Sequence, residues 1–183
     1  MQEIETKILE VDKEKIKEIL LSLGAKETQN TRLIVDWYCP KGAGKDEHPW
    51  YLRIRTTSDG KSEVSWKSLP KITGNTRHSD EININISDSV LGGKLFESIG
   101  LENYAHQEKD RTSFVLDEWN FDLDQYPGMP AYLEIEGKSH EHVQEAILKL
   151  KLENFRSIGE GERKLIEKEY GLNWSDMRFN SET

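Results

Sequence analysis

The chain has 183 residues, of which 35% are hydrophobic and 32% are charged, and its formal net charge at pH 7 is −9. The negative charge argues against binding of duplex nucleic acid or of an anionic membrane surface. No apolar segment approaches the ~20 residues of a membrane span, and one cysteine fits a reducing compartment, so we expect a cytoplasmic protein with a single domain over residues 1–183.

Apolar and charged residues alternate with period two in several segments, which predicts β-strands that each have an apolar face and a charged face. In the first of them, Glu3, Glu5 and Lys7 share one face. The segments in chain order are Gln2–Leu9, Trp50–Thr56, Ser62–Lys67 and Asp80–Ile86, and then the stretches around Lys109–Arg111, Asp122–Asp124 and Leu133–Glu136.

Four helices are predicted around these strands, each with an apolar stripe at helical spacing. In the second helix the stripe consists of Leu91, Leu95 and Ile99. We expect the stripes to cover the apolar faces of the strands. The helices are expected to begin after Asp12, after Ser87 or Asp88, after Ser139 and near Glu162.

The charged faces allow two arrangements. One is an open antiparallel sheet with the charged face in water. The other is a sheet curled into a barrel with the charged face inside, and we favour it because the charges are sorted by sign from strand to strand. The acids on these faces are Glu3, Glu5, Glu81, Asp122, Asp124, Glu134 and Glu136, and the bases are Lys7, Arg53, Arg55, Lys67, Lys109 and Arg111.

A charged barrel interior implies a charged ligand. Burial costs several kcal/mol per ion unless the charges are balanced. Arg and Lys bind phosphate oxygens, and carboxylates bind Mg²⁺ or Mn²⁺, which prefer oxygen ligands. The sequence has no zinc-spaced Cys/His cluster, no Gly-rich phosphate loop and no G-x-S-x-G motif. The pattern therefore favours a polyanionic phosphate compound bound with a divalent cation.

The segment Glu3-Ile4-Glu5-Thr6-Lys7 resembles the E-x-E-x-K signature of the CYTH superfamily, the triphosphate tunnel metalloenzymes. The chain is similar to the small prokaryotic members grouped with class IV adenylyl cyclases. The resemblance covers nearly the whole chain, because further matching segments follow in order. They are Leu52-Arg53-Ile54-Arg55, Trp66-Lys67, Glu81, Lys109-Asp110-Arg111, Leu123-Asp124 and Leu133-Glu134-Ile135-Glu136.

The resemblance implies an α+β fold, namely a closed eight-stranded antiparallel β-barrel with a charged lumen and helices packed outside. It implies that Lys7 and Glu5 are catalytic, and that Mg²⁺ or Mn²⁺ is the cofactor of a monomer or homodimer. The metal ligands it implies are Glu3, Glu5, Glu81, Asp124, Glu134 and Glu136. The residues it implies for triphosphate binding are Lys7, Arg53, Arg55, Lys67, Lys109 and Arg111.

Three functions remain open at this point. The first is hydrolysis of tripolyphosphate, thiamine triphosphate or a nucleoside triphosphate, in which a carboxylate or Lys7 positions the attacking water. The second is cyclisation of ATP to cyclic AMP and pyrophosphate, which needs a purine pocket that the sequence does not reveal. The third is a non-catalytic module that binds polyphosphate or a nucleotide, which would not require so many acids. We favour the hydrolase and keep the cyclase as the alternative.

Overall fold

The computed structural model of the chain describes residues 2–43 and 49–180. Strands account for nearly half of the residues in these ranges and are its main secondary structure, as the alternating patterns predict. In chain order the strands are β1 (Gln2–Ile8), β2 (Lys26–Pro40), β3 (Trp50–Thr57), β4 (Ser62–Ser68), β5 (Lys71–Thr73), β6 (Thr76–Ile86), β7 (Leu101–Leu116), β8 (Trp119–Gln125), β9 (Tyr132–Gly137), β10 (Ser157–Ile158) and β11 (Asp176–Met177).

Eight of these strands close into an antiparallel barrel in the order β1-β9-β8-β7-β2-β3-β4-β6. The barrel closes because β1 pairs with β9 on one side, where Lys7 faces Glu134, and with β6 on the other, where Glu3 faces Ser79. The short strands β5, β10 and β11 extend the edges of β6, β1 and β7. The expected α+β fold with a closed eight-stranded antiparallel barrel is confirmed.

Two helices cover one side of the barrel from outside. Helix α1 (Lys13–Ser22) is capped by Asp12 and helix α3 (His140–Lys149) by Ser139, as the sequence predicts. Their apolar stripes bury the outward side chains of β1, β7, β8 and β9, among them Ile8, in one hydrophobic core. In the part of the chain that the structure describes, no helix has the length and apolar character needed to span a membrane.

Helix α2 (Ser89–Ser98) begins after Asp88 as expected, since the Asp88 carboxylate accepts a hydrogen bond from the backbone N–H of Leu91. The expectation that its apolar stripe covers the barrel is wrong. Leu91, Leu95 and Ile99 are exposed, and the helix packs on β3, β4 and β7 through its opposite side.

The physical reason is the pair of glycines in α2. A Cβ on Gly92 would lie 2.9 Å from Cδ1 of Ile86, and a Cβ on Gly93 would lie 2.7 Å from the hydroxyl oxygen of Tyr38. The helix therefore approaches the barrel more closely than any side chain allows, and this close contact turns the leucine stripe towards solvent.

The last part of the chain closes one end of the barrel. A short helix, α4 (Glu162–Lys164), continues into a π-helical turn (Leu165–Glu169). The turn joins Leu33 and Val35 of β2 in a second apolar cluster, through Leu165 and Ile166. Because Val35 is the cross-strand partner of Arg55, it shares the inward face of the sheet. The lumen is thus apolar at this end, and its charged part lies between that cluster and the other mouth.

Candidate functional site

The charged faces of the strands line one cavity inside the barrel, with a volume of about 410 Å³. That volume is within the range of small-molecule sites. Asp124 lies behind the cavity wall and contacts two of the lining cations. The structure brings together on the cavity wall the predicted residues Glu3, Glu5, Lys7, Arg53, Arg55, Lys67, Glu81, Lys109, Arg111, Glu134 and Glu136.

Lys7 lies in the wall of this cavity and not at its rim, because its side chain is only 1% exposed. Its Nζ is 3.1 Å from Oε1 of Glu5 and 2.8 Å from Oε1 of Glu134. Burial alone would lower the pKa of Lys7, but the charges of Glu134 and Glu5 raise it above its ordinary value. Lys7 is therefore a fixed positive charge that donates hydrogen bonds.

Three guanidinium groups converge on another part of the wall. Arg53 and Arg55 share a face of β3, and Arg111 enters from β7. Burial and the charges of Arg53 and Arg111 lower the pKa of Arg55, even though Glu63 forms an ion pair with it. Positive charge is thus crowded around Arg55, although Arg111 itself is paired with carboxylates such as Asp122 and Glu134. Guanidinium groups arranged in this way are suited to an anion with several oxygens.

Carboxyl groups outnumber their cationic partners where β1 meets β6. Lys67 forms ion pairs with both Glu3 and Glu81. Burial and a hydrogen bond shared with Glu81 raise the pKa of Glu3 to about 8. Burial would also raise the pKa of Glu81, but the hydrogen bond with Glu3 and the charges of Lys67 and Arg53 hold it at about 2. One ammonium group therefore does not neutralise both carboxylates, and Glu3 retains a proton.

Glu136 adds to the same acidic region. It is the cross-strand partner of Glu5 on β1. Burial raises the pKa of Glu136, and the charges of Glu5 and Asp122 raise it further, against the hydrogen bond that Asn120 donates at 3.2 Å. Crowded carboxylates with raised pKa values are groups that a divalent cation would stabilise in their charged form.

A second acidic group lies deeper in the barrel. Carboxylate oxygens of Asp124, Glu134 and Glu162 come within 4.8 Å of one another, a spacing that could hold a metal ion. Asp124, however, is fully buried and accepts hydrogen bonds from Lys109 at 2.7 Å and from Nε of Arg111 at 2.6 Å. Spacing alone favours this group, whereas charge balance favours the region of Glu3 and Glu136. Cations already neutralise the deeper carboxylates, so a metal ion is better accommodated near Glu3 and Glu136.

Several polar residues of the site were not among the predicted ones, and three of them contact predicted charged residues. Arg77 on β6 lies 3.4 Å from Oε1 of Glu5, and Glu63 on β4 pairs with Arg55. Both share face parity with predicted residues of their strands, so the alternation pattern contained the signal. Glu162 on α4 accepts hydrogen bonds from Tyr126 at 2.9 Å and also contacts Lys109. It follows no strand pattern, and no sequence signal marked it.

An aromatic group lines the same cavity next to the arginines. The ring centroids of Trp37 and Trp174 are 5.4 Å apart, and those of Tyr104 and Trp174 are 5.9 Å apart. The guanidinium of Arg53 lies 5.4 Å from the ring centroid of Trp37. The cavity therefore joins an ionic region to an apolar, π-rich region.

This chain belongs to the CYTH family, because residues 1–170 match the model of the CYTH domain. CYTH proteins bind triphosphates, and CYTH enzymes depend on divalent metals. A protein of Methanocaldococcus jannaschii named "putative adenylate cyclase" is 28% identical over 174 residues, which are 93% of this chain and 97% of that protein.

Solved structures of low sequence identity share the fold. A conserved hypothetical protein from Pyrococcus furiosus has a TM-score of 0.73 at 18% identity, with 90% of this chain and 99% of that chain covered. A "putative adenylyl cyclase" from Hippeastrum, described as having a dominant triphosphatase activity, has a TM-score of 0.68 at 18% identity, with 92% of this chain and 96% of that chain covered.

Proposed function

We propose that this protein is a divalent-metal-dependent triphosphatase that hydrolyses a phosphoric anhydride bond of a triphosphate inside the barrel. The observation that carries the proposal is the separation of excess charge within one cavity. The charges of Arg53 and Arg111 lower the pKa of Arg55, while burial and neighbouring carboxyl groups raise the pKa values of Glu3 and Glu136 in the same cavity. A triphosphate with a divalent cation balances both excesses at once.

The cationic wall would bind the triphosphate. Arg53 and Arg55 present guanidinium groups to phosphate oxygens from β3, and Lys67, Lys109 and Arg111 complete the set. The ion pairs of Arg111 with Asp122 and Glu134 fix its guanidinium in position before substrate arrives. Pre-positioned charge of this kind stabilises the transferred phosphoryl group without reorganisation.

Glu3, Glu5, Glu81 and Glu136 would hold the Mg²⁺ or Mn²⁺ ion, with Glu134 at the border of the cationic wall. The donor set fits, because carboxylate oxygens suit these ions and because burial and neighbouring carboxyl groups raise the pKa values of Glu3 and Glu136, so a bound cation would stabilise their charged forms. A bound ion would supply charge neutralisation at the phosphate oxygens. Asp124 would act through Lys109 and Arg111, whose charged groups it anchors.

The roles of Lys7 and Glu5 follow from their contacts. Lys7 stays protonated, so it would position a phosphate oxygen or the attacking water by donating hydrogen bonds, and it would not act as a base. Burial would raise the pKa of Glu5, but Lys7 and Arg77 lower it overall. Glu5 is thus a charged carboxylate, which can orient a water molecule by accepting a hydrogen bond from it.

Cyclisation of ATP is the second candidate. The name of the M. jannaschii relative supports it, and so does the aromatic group formed by Trp37, Tyr51, Tyr104 and Trp174 in the same cavity. Aromatic rings next to a phosphate-binding wall could hold a nucleobase by stacking. In this reaction the ribose 3′-hydroxyl attacks the α-phosphate and pyrophosphate leaves.

One panel of reactions tests the proposal. Tripolyphosphate, thiamine triphosphate, ATP and GTP are each incubated with the full chain and Mg²⁺ or Mn²⁺, and orthophosphate, pyrophosphate and cyclic nucleotide are measured separately. A triphosphatase releases orthophosphate from at least one substrate. Mass spectrometry that finds cyclic AMP and pyrophosphate in equal amounts would replace the hydrolase by the cyclase.

A further inference from the structure

An apolar surface on the outside of the barrel has no partner within the described residues. The inward residues of β4 and β6 line the cavity, so Val64, Trp66, Ile82 and Ile84 point outward. Helices α1 and α3 pack elsewhere, because they cover the side of the barrel formed by β1, β7, β8 and β9. Ile82 is 55% exposed and Ile84 is 58% exposed.

Helix α2 continues this surface. Ile86, the next outward residue of β6, packs against Gly92, and the exposed stripe of the helix follows directly. We call the combined surface the β6–α2 face. It is made of the outward side chains Ile82, Ile84, Val90, Leu91, Leu95 and Ile99, and the last four of these are 59–66% exposed.

We propose that the β6–α2 face is the interface of a symmetric homodimer, with a second copy of this chain as its occupant. A fully exposed Leu or Ile side chain offers on the order of 100 Å² of apolar surface, so the six side chains offer roughly 350 Å². A standard interface buries about 800 Å² on each partner, of which about 60% is non-polar. The six side chains therefore supply most of the apolar area that a stable dimer needs.

The charge pattern favours a second copy over other partners. The chain carries a net charge of −9 and is 32% charged. The outward residues of β4 and β6 from Ser62 to Trp66 and from Ile82 to Ile86 carry no charge, and α2 carries one residue of each sign, Lys94 and Glu97. Two acidic copies can thus meet on this face without net repulsion, and a twofold axis needs only one self-complementary surface.

The test is the mass of the full chain in solution across micromolar concentrations, by sedimentation velocity and light scattering. The wild type should have twice the 21.2 kDa mass of one chain. Leu91→Glu and Ile84→Glu should each yield monomers with an unchanged circular dichroism spectrum. Leu148→Glu is the matched control, since Leu148 is 62% exposed on α3 and lies outside the face; it should remain dimeric.

Two results would overturn the proposal. A wild-type chain that stays monomeric at all these concentrations excludes self-association. A dimer that survives both Leu91→Glu and Ile84→Glu uses another surface. If either variant fails to fold, Leu95→Lys, at a third exposed position of the same face, provides the equivalent test.

Discussion

Lys7 and Glu134 are cross-strand partners on β1 and β9, and Nζ of Lys7 lies 2.8 Å from Oε1 of Glu134 inside the barrel. This pair lies between the two imbalanced regions of the cavity, because Glu134 also accepts a hydrogen bond from Arg111 at 2.7 Å and Lys7 also contacts Glu5. The same two side chains therefore touch both the proposed phosphate-binding wall and the proposed metal-binding region.

Replacing Lys7 tests its positioning role. Lys7→Ala should reduce orthophosphate release from tripolyphosphate more than tenfold, which corresponds to about 1.4 kcal/mol of transition-state stabilisation. Affinity for Mn²⁺ should persist, because the carboxylates remain. Lys138→Ala, at a residue that is 62% exposed and pairs with Glu118, is the matched control and should behave as wild type. Full activity of Lys7→Ala would exclude Lys7 from the mechanism.

Arg55 and Arg111 should bind phosphate whatever group the triphosphate carries. Arg55→Ala and Arg111→Ala should each lower kcat/KM more than tenfold for every triphosphate that the wild type uses. Arg156→Ala, which removes a 59% exposed arginine paired with Glu169, should leave kcat/KM unchanged. A loss confined to one nucleotide would assign these arginines to recognition of the base.

The raised pKa of Glu3 predicts a pH dependence of stability in the metal-free protein. Between pH 4.5 and about 8 the folded state holds a proton on Glu3 that the unfolded state has released. The contribution of Glu3 therefore lowers stability progressively as pH rises through this window. In EDTA, Glu3→Gln should flatten the fall of Tm with pH, whereas Glu153→Gln at an exposed position should not. Equal slopes in wild type and Glu3→Gln would contradict the shift.

We expect Asp124 to contribute to the stability of the fold and not to direct metal binding. Asp124→Asn leaves the buried charges of Lys109 and Arg111 without their anchor and should cost about 3 kcal/mol of unfolding free energy, measured in EDTA. Asp117→Asn, at a residue that is 66% exposed, should cost less than about 0.5 kcal/mol. A small loss of stability together with a large loss of Mn²⁺ affinity would instead identify Asp124 as a metal ligand.

Alternation along the strands predicted the barrel interior well. Glu3, Glu5 and Lys7 on β1 and Arg53 and Arg55 on β3 were placed on one wall because parity is a local property of a strand. Closure of the barrel is confirmed by the pairing of β1 with β6, which no single segment encodes.

The sequence predicted less where tertiary contacts decide the outcome. The apolar spacing of Leu91 and Leu95 correctly indicated a helix but gave the wrong buried side, because the close approach at Gly92 and Gly93 determines the packing. Glu162 reaches the cavity only because the last part of the chain folds over the end of the barrel. No periodic pattern reports a contact of that kind.

The central claim is that the barrel processes a triphosphate together with a divalent cation. The most direct measurement is orthophosphate release from tripolyphosphate by the wild type and by Glu136→Gln, each with Mg²⁺, with Mn²⁺ and in EDTA. We expect turnover by the wild type with metal, none in EDTA, and a large loss in Glu136→Gln, because an amide is a poorer ligand for these ions than a carboxylate. Undiminished turnover in EDTA, or none with any triphosphate and metal, would contradict the account.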